Sequence, residues 1–396
     1  MKDHLSQSAK PTLEQMTAEL VAPQLPLPHD ASSVPIFQTS SFLFDRFEDM
    51  AAVFAGESDR YIYSRGNNPT VAELERLIAR LEGVDAARGF ASGMGAIAAA
   101  VLPFVQAGDR GVAVENLYSD AFRLFECVLK KFGVQTDYVD GTDTQAVVDA
   151  LPGAKLIYLE SPTSWSFTTQ DLRAIGAAAR AQGVISVIDN SWATPLYQRP
   201  AEFGIDLIVH AASKYLAGHS DTIAGLVAGP KALIDRINHD SYPYLGGKMS
   251  PFDAWLVLRG MRTLHLRMAR HAQNGLALGR ALSAHPAVTR VRHPAFEANP
   301  GNACLSGYGG LFAFDLDASV DIARFANALK VVRIGVSWGG AESLILPAQA
   351  ALRLSGDANV FRRFDTPAGS VRISAGLEHS DTLVEDLRTA IDEARQ

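Results

Sequence analysis

Short apolar runs alternate with helical patterns through the middle of this 396-residue chain, and this alternation constrains the fold most strongly. The apolar runs that predict strands lie at 111–115, 134–139, 155–159, 184–188, 206–209 and 223–228. Helical patterns lie between several of them, at 119–131, 144–151 and 169–181. Nearly continuous apolar strands are those buried on both faces, and strands that alternate with helices form parallel sheets. The sequence therefore predicts an α/β domain whose mostly parallel sheet is covered on both sides.

The chain is long enough for more than one domain, since a domain averages about 150 residues. Residues 1–60 contain several prolines and no sustained period, which predicts an extended N-terminal arm with one short helix. We assign residues 61–250 to the α/β domain. Beyond them, a long helical stretch, a strand at 310–316, a helix at 320–329, a strand at 370–374 and a helix at 381–394 follow in order. This pattern predicts a smaller α+β domain over residues 251–396.

Composition excludes several classes of protein. Lysine and arginine number 36 against 43 acidic residues, a net charge of −7, and no long basic run suits a nucleic-acid partner. The two cysteines, Cys127 and Cys304, provide neither a disulfide framework nor a thiolate metal cage, so we expect no metal and a reducing compartment. The longest apolar stretch, near 96–105, is about half of the ~20 residues that cross a bilayer, and the first ten residues are too polar for a signal peptide. We therefore expect a soluble, cytoplasmic protein with no membrane partner.

A segment of small residues at 92–95 (Ser-Gly-Met-Gly) lies between a predicted strand and a predicted helix. Small residues there let backbone N–H groups at a helix N-terminus approach an anion, normally a phosphate. The same segment fits the dinucleotide-binding pattern Gly93-x-Gly95-x-x-Ala98, with Glu115 22 positions after Gly93. Both interpretations predict a phosphate at this helix, and a merely tight strand-to-helix turn is the alternative.

Two charged residues follow buried strands at the edge where doubly wound sheets bind ligands. Asp189 comes directly after the run 184–188, and Lys214 follows the run 206–209. Alone, Asp189 is explained as a capping or turn residue and Lys214 as a lysine that reaches the surface. Together they fit pyridoxal 5′-phosphate (PLP), because a partly desolvated amine can attack an aldehyde and a carboxylate can keep a pyridine nitrogen protonated. The ring of Tyr118 would stack on the cofactor, whereas a dinucleotide dehydrogenase has no need of Lys214 in this setting.

Several motifs, in one order, resemble the cysteine/methionine-metabolism family of pyridoxal-phosphate enzymes. They lie at 61–70 (YIYSRGNNPT), 92–94 (SGM), 158–162 (YLESP), 188–192 (IDNSW) and 213–221 (SKYLAGHSD). The resemblance covers about residues 61–377 and is specific because the motifs are long and keep the family's order. It implies fold type I, the PLP-dependent transferase fold of aspartate aminotransferase, with PLP as the cofactor. It also implies a homodimer or homotetramer that shares its active site between subunits and acts on a small amino-acid thioether.

The resemblance further implies a role for individual residues. Lys214 would hold the cofactor and act in catalysis, Asp189 would pair with the pyridine nitrogen, and Tyr118 would stack on the ring and assist proton transfer. The implied phosphate contacts are Gly93, Met94 and Ser213, with Tyr63 and Arg65 from the neighbouring subunit. The family usually has a hydroxyl residue three positions before the lysine, and Ala211 stands there, so one phosphate contact is expected to be missing. For the two residues from the neighbour, an exposed loop pair is the alternative.

The C-terminal part supplies the expected substrate contacts, Ser337, Trp338 and Arg372. A guanidinium fork matches a carboxylate bidentately, so Arg372 is a natural anchor for an amino-acid α-carboxylate, with an interstrand salt bridge as the alternative. Trp338 in Ser-Trp-Gly-Gly, Ser164, and the Ala-Ala before Ser213 are similar to the β-lyases of the family, although Trp338 also fits ordinary wall packing. The run 61–70 is more similar to the γ-lyases and γ-synthases.

The predicted reaction is β-elimination of L-cystathionine to homocysteine, pyruvate and ammonia, the carbon–sulfur lyase step of cystathionine β-lyases in methionine biosynthesis. The main alternative is an enzyme of the cystathionine γ-lyase, cystathionine γ-synthase or methionine γ-lyase type. A nucleotide-dependent oxidoreductase is a more distant alternative that depends only on the glycine pattern at 93–98. A binding or scaffolding relative without activity is the least favoured, because Lys214, Asp189, Tyr118 and Arg372 are all present.

Overall fold

The computed structural model describes residues 11–22, 27–356 and 358–395, whose strands form two sheets. The larger sheet contains β1 (Ala86–Phe90), β2 (Arg110–Val114), β3 (Gln135–Val139), β4 (Leu156–Glu160), β5 (Ile185–Asp189), β6 (Leu207–His210) and β7 (Gly225–Gly229). The smaller sheet contains β8 (Val288–Arg292), β9 (Leu311–Leu316), β10 (Arg333–Ile334), β11 (Leu344–Pro347) and β12 (Ser370–Ser374).

The helices precede, connect and cover these strands. They are α1 (Leu13–Val21), α2 (Phe47–Phe54), α3 (Pro69–Glu82), α4 (Gly93–Val101), α5 (Ser119–Arg123), α6 (Thr144–Ala150), α7 (Leu172–Gln182), α8 (Thr194–Tyr197), α9 (Lys231–Asp240), α10 (Pro251–Met261), α11 (Leu264–Ser283), α12 (Ile322–Ala328), α13 (Ala348–Ala351), α14 (Val360–Arg363) and α15 (Ser380–Ala394). Within the described ranges, none of these helices combines the length and the apolar character needed to span a membrane.

The larger sheet is mixed but mostly parallel, as predicted. Its strand order is β1-β7-β6-β5-β4-β2-β3, and only β7 runs antiparallel to its two neighbours. Successive residues of β2 pack into different apolar cores, Ala113 into one and Val112 and Val114 into the other. Because both faces are covered by helices, the inner strands β2 and β4 are apolar along most of their length, whereas the edge strand β3 is more polar and partly exposed. The α/β fold predicted from the sequence is confirmed.

The smaller sheet has the order β10-β11-β12-β9-β8 and is antiparallel except for the pairing of β10 with β11. Its apolar face packs against α11, α12 and α15, with Phe312, Phe314 and Ile373 fully buried between them. The strands predicted at 310–316 and 370–374 match β9 and β12. The boundaries proposed at residues 60 and 250 stay predictions.

The bounds of helix α3 follow from the residues at its two ends. Asn68 caps the N-terminus by accepting a hydrogen bond from the Thr70 N–H, Pro69 takes the first helical position, and Gly83 ends the helix with φ 70°. The apolar face of the helix carries Val71, Leu74, Leu77, Ile78 and Leu81, all of which are buried. The amphipathic period therefore predicts this helix and the face that it buries.

Two segments differ from the predictions. The described part of the N-terminal arm holds two α-helices, α1 and α2, where one was predicted. Helix α1 begins with a capping box between Thr12 and Gln15 and buries Met16 and Leu20. The single helix predicted at 119–131 is instead α5, a π-helical turn (Leu124–Val128) and a 3₁₀ turn (Leu129–Phe132). The Leu129 N–H bonds to the Leu124 carbonyl across the wider π turn, and both leucines are buried in the same apolar core.

Helices α10 and α11 hold the segment that follows β6 and carries Lys214. Arg267 is buried in α11 and donates hydrogen bonds to the carbonyl oxygens of Tyr215 (2.6 Å) and Gly260 (2.8 Å). Helix α10 approaches so closely that a Cβ at Gly260 would collide with the carbonyl oxygen of Ala217. Backbone contacts therefore fix the position of the lysine segment.

We expect Gly260→Ala to destabilise the protein by about 1–3 kcal/mol, because the added methyl group must displace the backbone at Ala217. Urea unfolding measures this change. The control is Gly111→Ala in β2, where an added Cβ would make an ordinary contact of 3.7 Å with the Leu156 carbonyl oxygen. That control should shift the free energy of unfolding by less than about 1 kcal/mol. Equal effects of the two substitutions would contradict the close approach.

Candidate active site

The carboxyl ends of β4 and β5, together with segments that follow β1, β2 and β6, open into a cavity of about 800 Å³. Residues from the smaller sheet close its other side. The predicted site residues that line this cavity are Gly93, Met94, Tyr118, Asp189, Ser213, Lys214, Ser337, Trp338 and Arg372. The fold thus brings together residues that lie up to 279 positions apart in the chain.

One end of the cavity has the donors that a phosphate requires. Ser92 caps α4 by accepting a hydrogen bond from the Gly95 N–H (3.0 Å). The N–H groups of Gly93 and Met94 have no acceptor in the part of the chain that the structure describes, and both residues face the cavity. A Cβ on Gly93 would come within 2.9 Å of the Ala211 Cβ, so only glycine fits this close approach. This helix N-terminus can therefore hold a phosphate through backbone donors.

The Ser213 hydroxyl is already engaged beside this helix. It donates a hydrogen bond to the Ala224 carbonyl oxygen (3.1 Å) and accepts one from the Ala224 N–H (2.9 Å). A phosphate contact from Ser213 would require that hydroxyl to turn away from β7. Ala211 has no side-chain donor. The two free backbone N–H groups of α4, at Gly93 and Met94, are therefore the donors available to a phosphate at this end of the cavity.

Asp189 ends β5 with one carboxylate oxygen still available. Its Oδ1 accepts hydrogen bonds from the Ser191 N–H (2.9 Å) and the Ser191 hydroxyl (2.5 Å). Burial raises the pKa of Asp189, although these two hydrogen bonds oppose the shift. Asp189 is half-buried and faces the cavity, and its Oδ2 has no donor among the residues that the structure describes. Such a carboxylate favours a cationic N–H partner, which the protonated nitrogen of a pyridine ring supplies.

Lys214 projects into the same cavity. Its Nζ donates a hydrogen bond to the Ser337 Oγ (2.8 Å) and lies 5.5 Å from the centre of the Trp338 ring. Burial and the nearby Arg372 guanidinium lower the pKa of Lys214 to about 8, while Asp189 acts in the opposite direction. The amine therefore loses its proton far more readily than an ordinary lysine and can act as a nucleophile or a base.

Tyr118 is held at two points. Its N–H donates to Glu160 Oε2 (2.7 Å), and its hydroxyl donates to Asp120 Oδ2 (2.9 Å). Burial and the Asp120 carboxylate raise the pKa of Tyr118, so the phenol keeps its proton.

Glu160 is a cavity residue to which the sequence analysis gave no role, although it ends a fully buried strand and lies directly beside Asp189 in the sheet. Burial and the charge of Asp189 raise the pKa of Glu160 to about 8.

Arg372 is a buried guanidinium on β12 that faces the cavity. Its Nη2 donates to the Val336 carbonyl oxygen (3.0 Å), and its Cζ lies 5.7 Å from the centre of the Trp165 ring. Among the residues that the structure describes, no carboxylate forms an ion pair with it, so the interstrand salt bridge is not observed. Burial lowers the pKa of Arg372 to about 10. An unpaired buried guanidinium is suited to bind a carboxylate from a ligand.

Tyr63 and Arg65 lie outside this cavity. Tyr63 is 49% exposed, and the Cζ of Arg65 lies 5.5 Å from the centre of its ring. Neither side chain lines the cavity of its own chain. Their phosphate contacts across a subunit interface stay a prediction.

The dinucleotide interpretation of the glycine segment does not fit the sheet. In a dinucleotide-binding fold, the strand before the glycine pattern lies in the interior of a parallel sheet. Here that strand is β1, which lies at an edge and pairs antiparallel with β7. Gly93 and Gly95 therefore form the N-terminus of α4 in a sheet that is not a dinucleotide-binding sheet.

Comparison with known proteins finds that the chain is similar to enzymes that use PLP. The family model described as Cys/Met metabolism PLP-dependent enzyme matches residues 17–392. The chain is 38% identical to an L-methionine γ-lyase of Pseudomonas putida, over 92% of this chain and 94% of the relative. It is 34% identical to a cystathionine γ-lyase of Bacillus subtilis (91% and 94% covered) and 33% identical to a cystathionine β-lyase of the same organism (92% and 92%).

Solved structures agree with these sequence relatives. The cystathionine γ-lyase of Lactobacillus plantarum superposes with a TM-score of 0.87 and 35% identity, over 96% of this chain and 99% of that chain. The cystathionine γ-synthase of Xanthomonas oryzae pv. oryzae superposes with a TM-score of 0.88 and 31% identity, over 96% and 98%. The larger sheet, the smaller sheet and their connection are therefore the fold of type I PLP enzymes.

The lowered pKa of Lys214 predicts a pH-dependent reactivity. In the cofactor-free chain, trace acetylation of Lys214, followed by mass spectrometry, should rise with pH to a midpoint near 8, because only the neutral amine reacts. Arg372→Met should move this midpoint upward, since it removes a positive charge that disfavours the ammonium form. Arg388→Met, in an exposed ion pair on α15, should leave the midpoint unchanged. A midpoint that is insensitive to Arg372 would contradict the electrostatic coupling.

Proposed function

The chain belongs to the Cys/Met metabolism family of PLP-dependent enzymes, and from this premise we propose that it cleaves the carbon–sulfur bond of an L-amino-acid thioether by γ-elimination. With one water consumed, the products would be a thiol, 2-oxobutyrate and ammonia. One observation carries the choice of substrate class: a desolvated lysine and an unpaired buried guanidinium face one cavity, Lys214 to react at the α-carbon and Arg372 to hold the α-carboxylate.

The cofactor would lie between the N-terminus of α4 and Asp189. The free N–H groups of Gly93 and Met94 would hold its phosphate, and the free oxygen of Asp189 would accept the pyridine N–H. The Tyr118 ring would cover one face. When bound, PLP supplies an electron sink for the negative charge that develops on the substrate carbon skeleton.

Lys214 is the proposed base. With a pKa near 8, its amine is partly neutral at physiological pH, so it can take a proton from Cα of a substrate whose α-carboxylate is bound at Arg372. The γ-elimination needs a second proton to leave from Cβ, and the same amine can reach both carbons if Arg372 fixes the α-carboxylate. The Ser337 Oγ, 2.8 Å from Nζ, holds the amine in place between these two transfers.

Tyr118 is the proposed proton donor for the departing sulfur. Its phenol stays protonated because burial and Asp120 both raise its pKa. The hydroxyl donates its hydrogen to Asp120 Oδ2 at 2.9 Å, so the O–H bond would have to rotate from Asp120 toward the sulfur to deliver the proton. Delivery of that proton lets sulfur leave as a neutral thiol.

The choice of γ-elimination over the predicted β-elimination rests on the relatives. The methionine γ-lyase and the cystathionine γ-lyase are 38% and 34% identical to the chain, and the β-lyase is 33% identical. The run 61–70 supports the same choice, since it is similar to the γ-type enzymes.

The β-elimination of L-cystathionine is the second candidate because two cavity residues favour it. Trp338 packs edge-on against Tyr215, with ring centres 5.2 Å apart, and borders the Lys214 amine. Ser164 lines the cavity with Glu160 and lowers the pKa of that carboxyl. Both residues are those of the β-type motifs, and a bulky ring beside the amine narrows the space in which a substrate chain can bend.

The keto acid released from L-cystathionine distinguishes the two candidates. We expect 2-oxobutyrate with cysteine, and we expect 2-oxobutyrate with methanethiol from L-methionine, measured by chromatography of the derivatised keto acids. Pyruvate with homocysteine from L-cystathionine would overturn γ-elimination in favour of the second candidate. Release of neither keto acid from either thioether by the PLP-loaded protein would overturn both.

Lys214→Ala should reduce turnover at least about a thousandfold, because it removes the proposed base as well as the cofactor anchor. Steady-state keto-acid formation measures the loss. Lys231→Ala, which removes an exposed lysine on α9, is the matched control and should retain wild-type turnover. Equal turnover of the two variants would show that Lys214 is not the base.

A further inference from the structure

A layer of fully buried polar side chains lies at the carboxyl ends of β5 and β6, outside the cavity. It contains Glu82, the last residue of α3, and His210, the last residue of β6, both 0% exposed. We propose that this pair is a positioning site for the active-site carboxylate: His210, held protonated by Glu82, keeps Asp189 ionised and so keeps the proton on the ring nitrogen of the cofactor. This inference rests on the role proposed for Asp189.

Glu82 and His210 form one direct contact. The Nε2 of His210 lies 2.6 Å from Glu82 Oε1. A carboxylate that is removed from water is costly unless it is paired with a positive charge or protonated. Among the residues that the structure describes, His210 is the only group that forms an ion pair with Glu82. The buried carboxylate therefore stabilises the imidazolium form of the histidine.

The remaining hydrogen bonds of the layer come from neutral amides. Asn190 Nδ2 donates to the same Glu82 Oε1 (3.0 Å) and to the Gln198 carbonyl oxygen (2.9 Å). Gln198 Nε2 donates to the Ser161 carbonyl oxygen (2.9 Å). These amides fix the carboxylate in position, and they add no charge to the layer.

The pair is not fully satisfied. His210 Nδ1 and Glu82 Oε2 are buried without hydrogen-bond partners in the described ranges. On β7, the residue opposite His210 is the apolar Leu226. Buried polar atoms without partners reduce stability, so a polar pair that leaves two of them unpaired is poorly explained by stability alone. A role in the adjacent site explains why the pair is present.

His210 is connected to Asp189 through the sheet and one serine. Strands β5 and β6 are parallel neighbours that pair up to Asp189. The N–H of Ala211, the residue after His210, donates to the Ser191 hydroxyl oxygen (2.6 Å), and that hydroxyl donates to Asp189 Oδ1 (2.5 Å). Burial raises the pKa of Asp189, whereas the Ser191 hydrogen bonds and the charge of His210 lower it.

A positive charge at His210 affects where a shared proton lies. Between a carboxylate and a pyridine, the proton can lie on nitrogen, which leaves two opposite charges, or on oxygen, which leaves none. A positive charge that is closer to the carboxylate than to the ring stabilises the charged arrangement. Asp189 lines the cavity and His210 does not, so the imidazolium lies on the side away from the ring. It therefore favours the protonated ring, which is the stronger electron sink.

The test uses the protein loaded with PLP whose ring nitrogen is nitrogen-15, because the nitrogen-15 chemical shift distinguishes a pyridinium from a neutral pyridine. We expect a pyridinium in the wild-type protein. His210→Gln, which removes the positive charge, should move the resonance toward the neutral position. Glu82→Gln should move it in the same direction, because His210 then loses the carboxylate that stabilises its proton. Loss of the Glu82 charge acting alone would favour ionised Asp189 and have the opposite effect.

Gln198→Met is the matched control, since it removes buried hydrogen bonds of the same layer without changing a charge. It should leave the resonance at the wild-type position, and urea unfolding checks that each variant is folded. If His210→Gln does not fold, Glu82→Gln decides, and the reverse holds. A displacement by Gln198→Met equal to that of the charge variants would show that the layer acts through structure alone, and would overturn the inference.

Turnover provides a second readout. His210→Gln should reduce kcat for keto-acid release about tenfold, because a less protonated ring is a weaker electron sink. The KM for the thioether should stay within about twofold of the wild-type value, since Arg372 is unchanged. A rise in KM at constant kcat would contradict an effect on the cofactor ring.

Asp189→Asn separates this inference from the proposed function. It removes the carboxylate itself and should displace the nitrogen-15 resonance furthest. If Asp189→Asn displaces the resonance while His210→Gln and Glu82→Gln do not, the inference is overturned and the role proposed for Asp189 stands. If Asp189→Asn leaves the resonance unchanged, the role proposed for Asp189 fails and the inference fails with it.

Discussion

The half-buried position of the Lys214 amine, close to the Arg372 guanidinium, is the physical constraint on which the site depends. Removal from water, together with the charge of Arg372, lowers its pKa to about 8 and gives it the reactivity of a base and a nucleophile. The Lys214 amine can act as a base only if it is held close to the substrate. The fold fixes its position by holding the adjacent backbone. Arg267 donates to the Tyr215 carbonyl, and α10 packs against Ala217 through Gly260. Reactivity and packing are thus connected through one short segment.

The charged side chains of the cavity are placed to pair with charged groups of a cofactor and a substrate. Asp189 and Glu160 end adjacent strands, and each carboxylate disfavours ionisation of the other. A pyridinium beside Asp189 would relieve this repulsion. At the other positions the chain presents unpaired donors, at the N-terminus of α4 and at Arg372, which are suited to anionic groups. In this fold, Asp189, the N-terminus of α4 and Arg372 therefore lie where PLP and a substrate would supply groups of opposite charge.

Sequence reasoning located the parts of the site that follow directly from strand ends. Asp189 and Lys214 follow apolar runs, and the glycines at 93 and 95 precede a helix, so their positions are predictable from local pattern. The division of the segment 119–131 into α5, a π-helical turn and a 3₁₀ turn is not predictable in this way, because its apolar pattern fits one continuous helix. Hydrogen bonds such as Ser213 to Ala224 also depend on which strands become neighbours, which no local pattern specifies.

The most direct test of the account is the site at which PLP attaches. The protein loaded with PLP is reduced with borohydride, digested and analysed by mass spectrometry. We expect a phosphopyridoxyl group on Lys214 and loss of the visible cofactor band on reduction. A reduced adduct on a different lysine, or no adduct in protein that binds PLP, would contradict the central role of the Lys214 amine.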